Sequence, residues 1–153
     1  MLIRLDKVKN GNVYNMVIGE NGVPNGAVVK KGTYAEFDTY KADKLVDVTK
    51  EETLMLVAPF MNVTGFDKEE KMTFTKDEII RGYAFQKGDV ITLTIDGITN
   101  ATNVAKDMIG KYVQGVDASY KMTIIGTATA TLNFEVLAVE QLDGKDALVL
   151  EVK

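Results

Sequence analysis

The chain has 153 residues, 46% of them hydrophobic, a formal net charge of −4, and no His, Cys or Trp. His and Cys are the side chains that most often act as acid, base, nucleophile or metal ligand near pH 7, so we expect no enzyme, no cofactor and no metal site. The acidic residues and lysines are interspersed, and no basic stripe follows the chain as a phosphate backbone would require, which argues against nucleic acid as a partner.

Residues 1–35 are rich in turn signals and carry only short apolar stretches. Asn-Gly pairs favour tight turns because both residues tolerate positive φ. These pairs stand at 10–11, 21–22 and 25–26. A segment of this kind cannot offset its ordering entropy by burying its own surface. The sequence therefore predicts an extended N-terminal β-arm over residues 1–35, which is mobile until it binds a partner.

Residues 36–73 give a mixed pattern, and we expect them to form a connecting region. Residues 45–49 alternate as a strand does. Thr49 and Glu52 have the spacing of a capping box, which predicts a helical turn before the next apolar strand. That strand ends at Pro59, because proline cannot donate a hydrogen bond to a neighbouring strand.

Residues 74–153 are predicted to form a compact C-terminal β-domain. Thr75 and Glu78 repeat the capping-box spacing, which favours a short helix over 75–82, and a second short helix is expected over 100–108. Alternating and β-branched patterns predict strands over 90–95, 120–125, 128–139 and 147–152. The expected fold is therefore mainly β: a small antiparallel barrel or sandwich with one or two short helices.

Candidate catalytic patterns are weak. Ser119 and Lys121 share one face of a predicted strand, but a serine at the start of a strand is the simpler interpretation. Carboxylate pairs such as Asp143 and Asp146 lie in a predicted turn, as they do in many surface loops. The charged run 67–71 lacks the glycine that a calcium loop needs. A hydrolase or isomerase that uses Asp, Lys and Tyr remains an alternative, testable by substrate turnover with Asp→Asn controls.

Residues 74–94 contain an Arg81-Gly82-Tyr83 element that leads into a strand beginning with Lys87-Gly88-Asp89. Together with the upstream Asn25-Gly26 before a Val-rich strand, this order resembles small capsid-associated proteins of tailed bacteriophages that infect Gram-positive hosts. Further segments that fit the same outline are 110–113 and 117–121. Residues 34–71 carry nothing that aligns with that outline.

The resemblance implies a head decoration (cement) protein that binds the outside of an assembled capsid and stabilises it. The implied partner is the major capsid protein, and the implied location is the exterior of the virion, after synthesis in the host cytoplasm. Both a monomer and a homo-oligomer such as a trimer fit this role. No membrane partner is expected, since the sequence shows no apolar run of bilayer length.

Arg4, Tyr14 and Met16 are the predicted partner-binding residues. Arginine, tyrosine and methionine are enriched at the centres of protein interfaces, and these three lie in the predicted arm. The alternative is that each is an ordinary strand residue.

Two other functions remain open. One is a carbohydrate-binding or host-surface-binding β-module, although such modules usually present aromatic platforms, and this chain has no Trp and mostly isolated Tyr and Phe residues. The other is a tail-tube or connector protein, which would assemble into rings or tubes without any capsid.

Overall fold

The computed structural model describes residues 1–9, 12–58 and 73–153. The predicted Asn10-Gly11 turn and the charged run 67–71 lie outside the described residues. The described part is mainly β, with a closed barrel, a larger antiparallel sheet and two short 3₁₀ turns. This confirms the predicted fold class. None of the described residues belongs to a helix of the length and apolar character needed to cross a membrane.

The elements are named in chain order. The strands are β1 (Ile3–Lys7), β2 (Val13–Ile18), β3 (Val23–Pro24), β4 (Val28–Tyr34), β5 (Thr39–Asp43), β6 (Leu54–Leu56), β7 (Thr73–Phe74), β8 (Ile79–Tyr83), β9 (Val90–Thr94), β10 (Tyr112–Gly115), β11 (Met122–Ile125), β12 (Asn133–Leu142) and β13 (Lys145–Val152). The 3₁₀ turns are Ile95–Gly97 and Lys106–Met108.

The larger sheet has six strands in the order β1-β9-β13-β12-β10-β11, and each neighbouring pair is antiparallel. Its longest pair, β12 and β13, is joined through Asp143 and Gly144, which both have positive φ, as a tight hairpin turn requires. Leu148, Leu150 and Val152 share one face of β13 and are buried, as their alternation predicts.

The closed barrel has five strands in the order β2-β5-β4-β6-β8, and β8 returns to pair with β2. Only the pairing of β2 with β5 is parallel among these described strands. Gly82 on β8 faces Met16 on β2, and a Cβ atom at Gly82 would lie 2.7 Å from Cγ of Met16. The glycine therefore leaves the room that the Met16 side chain occupies in the barrel.

Strands β4 and β6 are shared between two hydrophobic cores. Val29 and Leu54 point into the barrel, whereas their chain neighbours Val28 and Met55 pack in the core of the larger sheet. All four side chains are almost completely buried. The larger sheet approaches closely at Gly115, where a Cβ atom would lie 3.1 Å from Val28. The outer face of the barrel thus forms one wall of the second core.

The described residues of 1–35 do not extend away from this body. Strand β1 pairs with β9 in the larger sheet, and β2 and β4 are barrel strands. Ile3, Met16 and Ile18 are buried in these cores. The short apolar stretches of this segment are buried by strands that lie far along the chain, such as β8 and β9. Each sheet consequently contains strands from both sides of a predicted domain boundary: the larger sheet joins β1 to strands after residue 73, and the barrel joins β2 and β4 to β8.

The helix predicted over 75–82 is wrong. The capping-box contact does form, because the Glu78 carboxylate accepts a hydrogen bond from the backbone N–H of Thr75 at 3.0 Å. However, Asp77 has φ of 65°, which ends helical geometry inside that turn. The chain then continues through Ile79 as strand β8, whose pairing with β2 and β6 outweighs the local helix signal.

The strand predicted over 45–49 is also absent. The Glu51 carboxylate accepts hydrogen bonds from the backbone N–H groups of Val46 and Asp47 and bends this segment into a turn. The Asp47 carboxylate in turn accepts the N–H of Thr49 at 3.0 Å. Of the helix predicted over 100–108, only the 3₁₀ turn at its end is present.

Candidate functional site

The acidic groups of the described residues are dispersed. No group of three or more His, Cys, Asp and Glu residues in this part of the chain is arranged to hold a metal ion. The Ser119 hydroxyl accepts a hydrogen bond from the backbone N–H of Lys121 at 3.1 Å, so this serine stabilises a turn. Asp143 lies in the β12–β13 turn, and Asp146 accepts the backbone N–H of Val104 at 3.3 Å.

Arg4 is held within its own sheet. Its guanidinium donates hydrogen bonds to Asp6, to the Thr92 hydroxyl at 3.0 Å and to Glu140 at 2.8 Å. The hydrogen bond to Asp6 is the main cause that raises the pKa of Arg4 above its ordinary value. The Arg4 side chain remains 42% exposed. A partner that contacts Arg4 would meet a guanidinium that already donates three hydrogen bonds within the sheet.

Tyr14 belongs to a cluster of aromatic rings on the barrel, which we name the tyrosine cluster: Tyr14, Tyr34 and Tyr40 with Lys31. The Lys31 ammonium lies 4.4 Å from the ring centre of Tyr14 and 4.8 Å from that of Tyr40. Tyr40 also meets Tyr14 and Tyr34 edge-to-face, with ring centres 5.8 and 5.5 Å apart. Tyr34 is 60% exposed, so the cluster reaches the surface.

Met16 is completely buried in the barrel core. The expectation that it contacts a partner does not fit this position, because a buried side chain packs only within its own fold. Arg4 lies in the larger sheet, and Tyr14 and Met16 lie on β2. The structure does not bring the three predicted residues together on one surface.

The described residues instead form a cleft of about 570 Å³ between β1 and the barrel strands β2 and β8. We call it the β1 cleft. Its lining includes Leu5, Lys7, Lys9, Val13, Arg81 and Tyr83. Some of these residues belong to β1 of the larger sheet or directly follow it, and the others belong to the barrel strands β2 and β8.

One wall of the β1 cleft is an unpaired strand edge. Strand β1 is outermost in its sheet, and no described strand pairs with its second edge. The N–H of Thr94 donates to the carbonyl of Leu2 at 3.0 Å, which makes these two a hydrogen-bonded pair. Because such pairs alternate along antiparallel strands, Leu5, opposite Ile91, is in a non-hydrogen-bonded pair. The backbone N–H and C=O of Leu5, a residue of the cleft lining, therefore point away from β9 at the open edge of the sheet.

The floor of the cleft is aromatic and packs against the core of the larger sheet. The rings of Tyr83 and Phe85 are stacked, with centres 5.7 Å apart and planes 17° apart. Phe85 meets Phe134 edge-to-face at 5.9 Å, and Phe134 is only 1% exposed in the core. Val13, which is 46% exposed, lies opposite Tyr83 across the β2–β8 pair. The floor thus offers aromatic and aliphatic surface to the cleft.

The rim of the cleft is cationic, although the chain as a whole is acidic. Lys7, Lys9 and Arg81 form no ion pair with any described residue, and Lys9 donates to the carbonyl of Lys87 at 3.1 Å. Asp6, the acidic residue of the lining, is hydrogen-bonded to Arg4 and to the Thr92 hydroxyl.

Two carboxylates outside the lining belong to the surroundings of this rim: Asp89, which accepts the backbone N–H of Lys9 at 2.8 Å, and Glu151. The pKa of Glu151 is lowered chiefly by its hydrogen bond to Lys153, and less by the charges of Lys7 and Lys87. Glu151 thus forms its ion pair with Lys153 and interacts with Lys7 through charge alone.

Sequence reasoning missed the β1 cleft. Arg81 and Tyr83 belong to the motif that carries the resemblance, but the helix predicted over 75–82 puts Arg81 in its last turn and Tyr83 just after its end, and neither position predicts a strand groove. Lys7 and Lys9 gave a weak signal, since they alternate next to an apolar stretch. Their proximity to Arg81 depends on pairings that no local pattern encodes.

Comparison of the chain with protein-family models, curated proteins and solved structures finds no match.

Proposed function

We propose that this protein is a structural virion protein that decorates and stabilises the outer surface of a tailed-phage capsid by binding the major capsid protein. The observation that carries the binding role is the unpaired edge of β1 beside the β1 cleft. An extended segment of a partner can add to such an edge, so that backbone hydrogen bonds give affinity and side-chain pockets give specificity.

The two outer edges of the larger sheet are treated differently, which supports this role. The edge of β11 is covered by Asn100, whose side-chain amide bonds the backbone N–H of Ile124 at 2.9 Å and its carbonyl at 2.8 Å. Proteins commonly block sheet edges in such ways to prevent unwanted pairing. In contrast, the edge of β1 opens into a cleft with apolar and cationic walls.

The identity of the partner rests on the sequence resemblance. The motif residues that carry it lie at or near the cleft: Arg81 and Tyr83 line it, and the buried carboxylate of Asp89 accepts the backbone N–H of Lys9. A capsid-binding role would therefore place the motif where the partner strand docks.

The test is co-sedimentation of the protein with assembled, undecorated phage heads. We expect saturable binding by the wild type and weaker binding by Val13→Glu, which puts a charge on the apolar floor of the cleft. Leu137→Glu is the matched control, because Leu137 is 42% exposed on β12, away from the cleft lining. Heads that fail to bind the wild type would remove the decoration proposal.

The tyrosine cluster favours one second candidate, a carbohydrate-binding or host-surface-binding module. Aromatic residues that are isolated in the sequence meet at one place, and exposed rings are typical of sugar-binding surfaces. Binding of the protein to host cell-wall polysaccharide, and its loss in Tyr34→Ala, would support this function. A tail-tube or connector role would instead show as rings or tubes of the purified protein in electron micrographs.

A further inference from the structure

We infer that the segment accepted by the β1 cleft is an acidic, extended strand in which carboxylates alternate with apolar side chains. This inference rests on the proposed function and names the chemistry of the partner segment that docks there. The β1 edge, the aromatic floor and the cationic rim each support one part of it.

The open edge of β1 favours a segment in extended conformation. The N–H and C=O of Leu5 point away from β9 at the open edge of the sheet, and a backbone that runs alongside β1 can pair with both of them. Between Leu5 and Lys7 the register shifts, which marks a bulge. Bulges interrupt a ladder and limit the length of the added strand. The docked segment is therefore short.

The aromatic floor of the β1 cleft favours apolar side chains on one face of that segment. Tyr83 and Phe85 present a stacked pair, and Val8 and Val13 lie beside them. In an extended strand every second side chain faces the same way. The side chains that face the floor should thus be apolar, and those between them should face the rim or solvent.

The cationic rim favours negative charge on the side chains of the segment that do not face the floor. Lys7, Lys9 and Arg81 line the cleft without ion-pair partners among the described residues. A second copy of this chain, docked edge to edge through β1, would bring the same three cations against them. Like charges across an interface act against such pairing, so a different, acidic chain fits better than a second copy.

The first experiment uses two end-blocked, ten-residue peptides, one alternating Glu with Val and the other alternating Lys with Val. We expect the Glu-Val peptide to bind, with an affinity that falls as salt is raised, and the Lys-Val peptide to bind at least about tenfold more weakly. Amide hydrogen exchange should show that the N–H of Leu5 becomes protected. Equal binding of both peptides, or protection that leaves Leu5 unchanged, would overturn the inference.

The second experiment reverses the charge of the rim. The double variant Lys7→Glu and Arg81→Glu should lose about tenfold in affinity for the Glu-Val peptide and gain affinity for the Lys-Val peptide. The matched control is Lys121→Glu with Lys145→Glu, which makes the same change of charge at exposed residues outside the cleft lining. Equal losses in both double variants would mean that net charge, not the cleft, governs binding.

Co-sedimentation with heads separates this inference from the proposed function. If wild-type protein binds heads and the Lys7–Arg81 double variant binds them equally well, the decoration role stands and the acidic segment is refuted. If wild-type protein binds the Glu-Val peptide at the β1 edge but not heads, the acidic segment stands and the decoration role fails.

Discussion

The buried carboxylate of Asp89 accepts a hydrogen bond of 2.8 Å from the backbone N–H of Lys9, a residue 80 positions earlier in the chain. Its second oxygen accepts the N–H of Gln86, also at 2.8 Å. Gly88, with φ of 86°, permits the tight turn that brings Gln86 back to Asp89. One carboxylate therefore fastens the end of β1 to the start of β9, at the border of the β1 cleft.

We expect Asp89→Asn to lower the free energy of unfolding by about 1–3 kcal/mol. An amide keeps one acceptor oxygen but turns its NH₂ group toward a backbone donor, which leaves a buried N–H unsatisfied. Urea denaturation measures the change. Asp107→Asn is the control, because the Asp107 side chain is 73% exposed and its ion pair with Lys111 should contribute little. Equal stability of the two variants would contradict the role given to Asp89.

Gly82→Ala should destabilise the protein by about 1–3 kcal/mol, since its methyl group would overlap Met16 in the packed barrel. Gly126→Ala is the matched control, as no atom lies within 4 Å of a Cβ placed there. Thermal unfolding followed by circular dichroism measures both. Adding Met16→Ala to Gly82→Ala should cost less than the sum of the two single changes, because each makes room for the other.

Asn100→Ala should uncover the edge of β11, because the Asn100 amide bonds both backbone groups of Ile124. We expect a loss of about 1–2 kcal/mol in the free energy of unfolding and increased self-association. Denaturation and sedimentation velocity measure these two effects. Asn103→Ala, at an exposed residue in the same loop, should change neither. Unchanged association in Asn100→Ala would show that this edge needs no cover.

Tyr120 should ionise at unusually high pH. Burial, followed by its hydrogen bond to Glu20, raises the pKa of Tyr120 to about 12. A folded-state pKa above that of the unfolded chain contributes stability below the unfolded pKa, near 10, and that contribution is lost as pH rises toward 12. The absorbance difference between wild type and Tyr120→Phe, followed during alkaline titration, measures this pKa.

Glu20→Gln provides the second arm of that titration. Removing the carboxylate that accepts the Tyr120 hydroxyl should bring the pKa of Tyr120 down toward its ordinary value, although burial still holds it above that value. Glu36→Gln, at an exposed carboxylate outside this contact, should leave the pKa of Tyr120 unchanged. A pKa near 10 in the wild type would refute the contact.

Much of the fold class could be predicted, because alternation along a single strand is a local signal. The buried row of Leu148, Leu150 and Val152 is an example, and so is the hairpin through Asp143 and Gly144. The capping-box spacing at Thr75 and Glu78 misled because the same contact closes a turn that leads into a strand. Tertiary pairing with β2 and β6, not local preference, decides the conformation of that segment.

The site could not be predicted in the same way. Residue type favours Arg4, Tyr14 and Met16 as interface residues, but it says nothing about which sheet a strand joins. The apolar stretches of residues 1–35 are short, and local sequence does not show which distant strands cover them. Ile3 and Met16 are in fact fully buried, by strands that lie far from them in the chain.

The alternating orientation of Val28 and Val29 has a consequence for how the molecule opens. Adjacent residues of β4 pack in two different cores. Separation of β4 from the barrel would therefore also remove Val28 from the core of the larger sheet. We therefore expect the barrel and the larger sheet to unfold together as one cooperative unit. Backbone amides on both sides of this shared wall should exchange with solvent only when the whole chain unfolds.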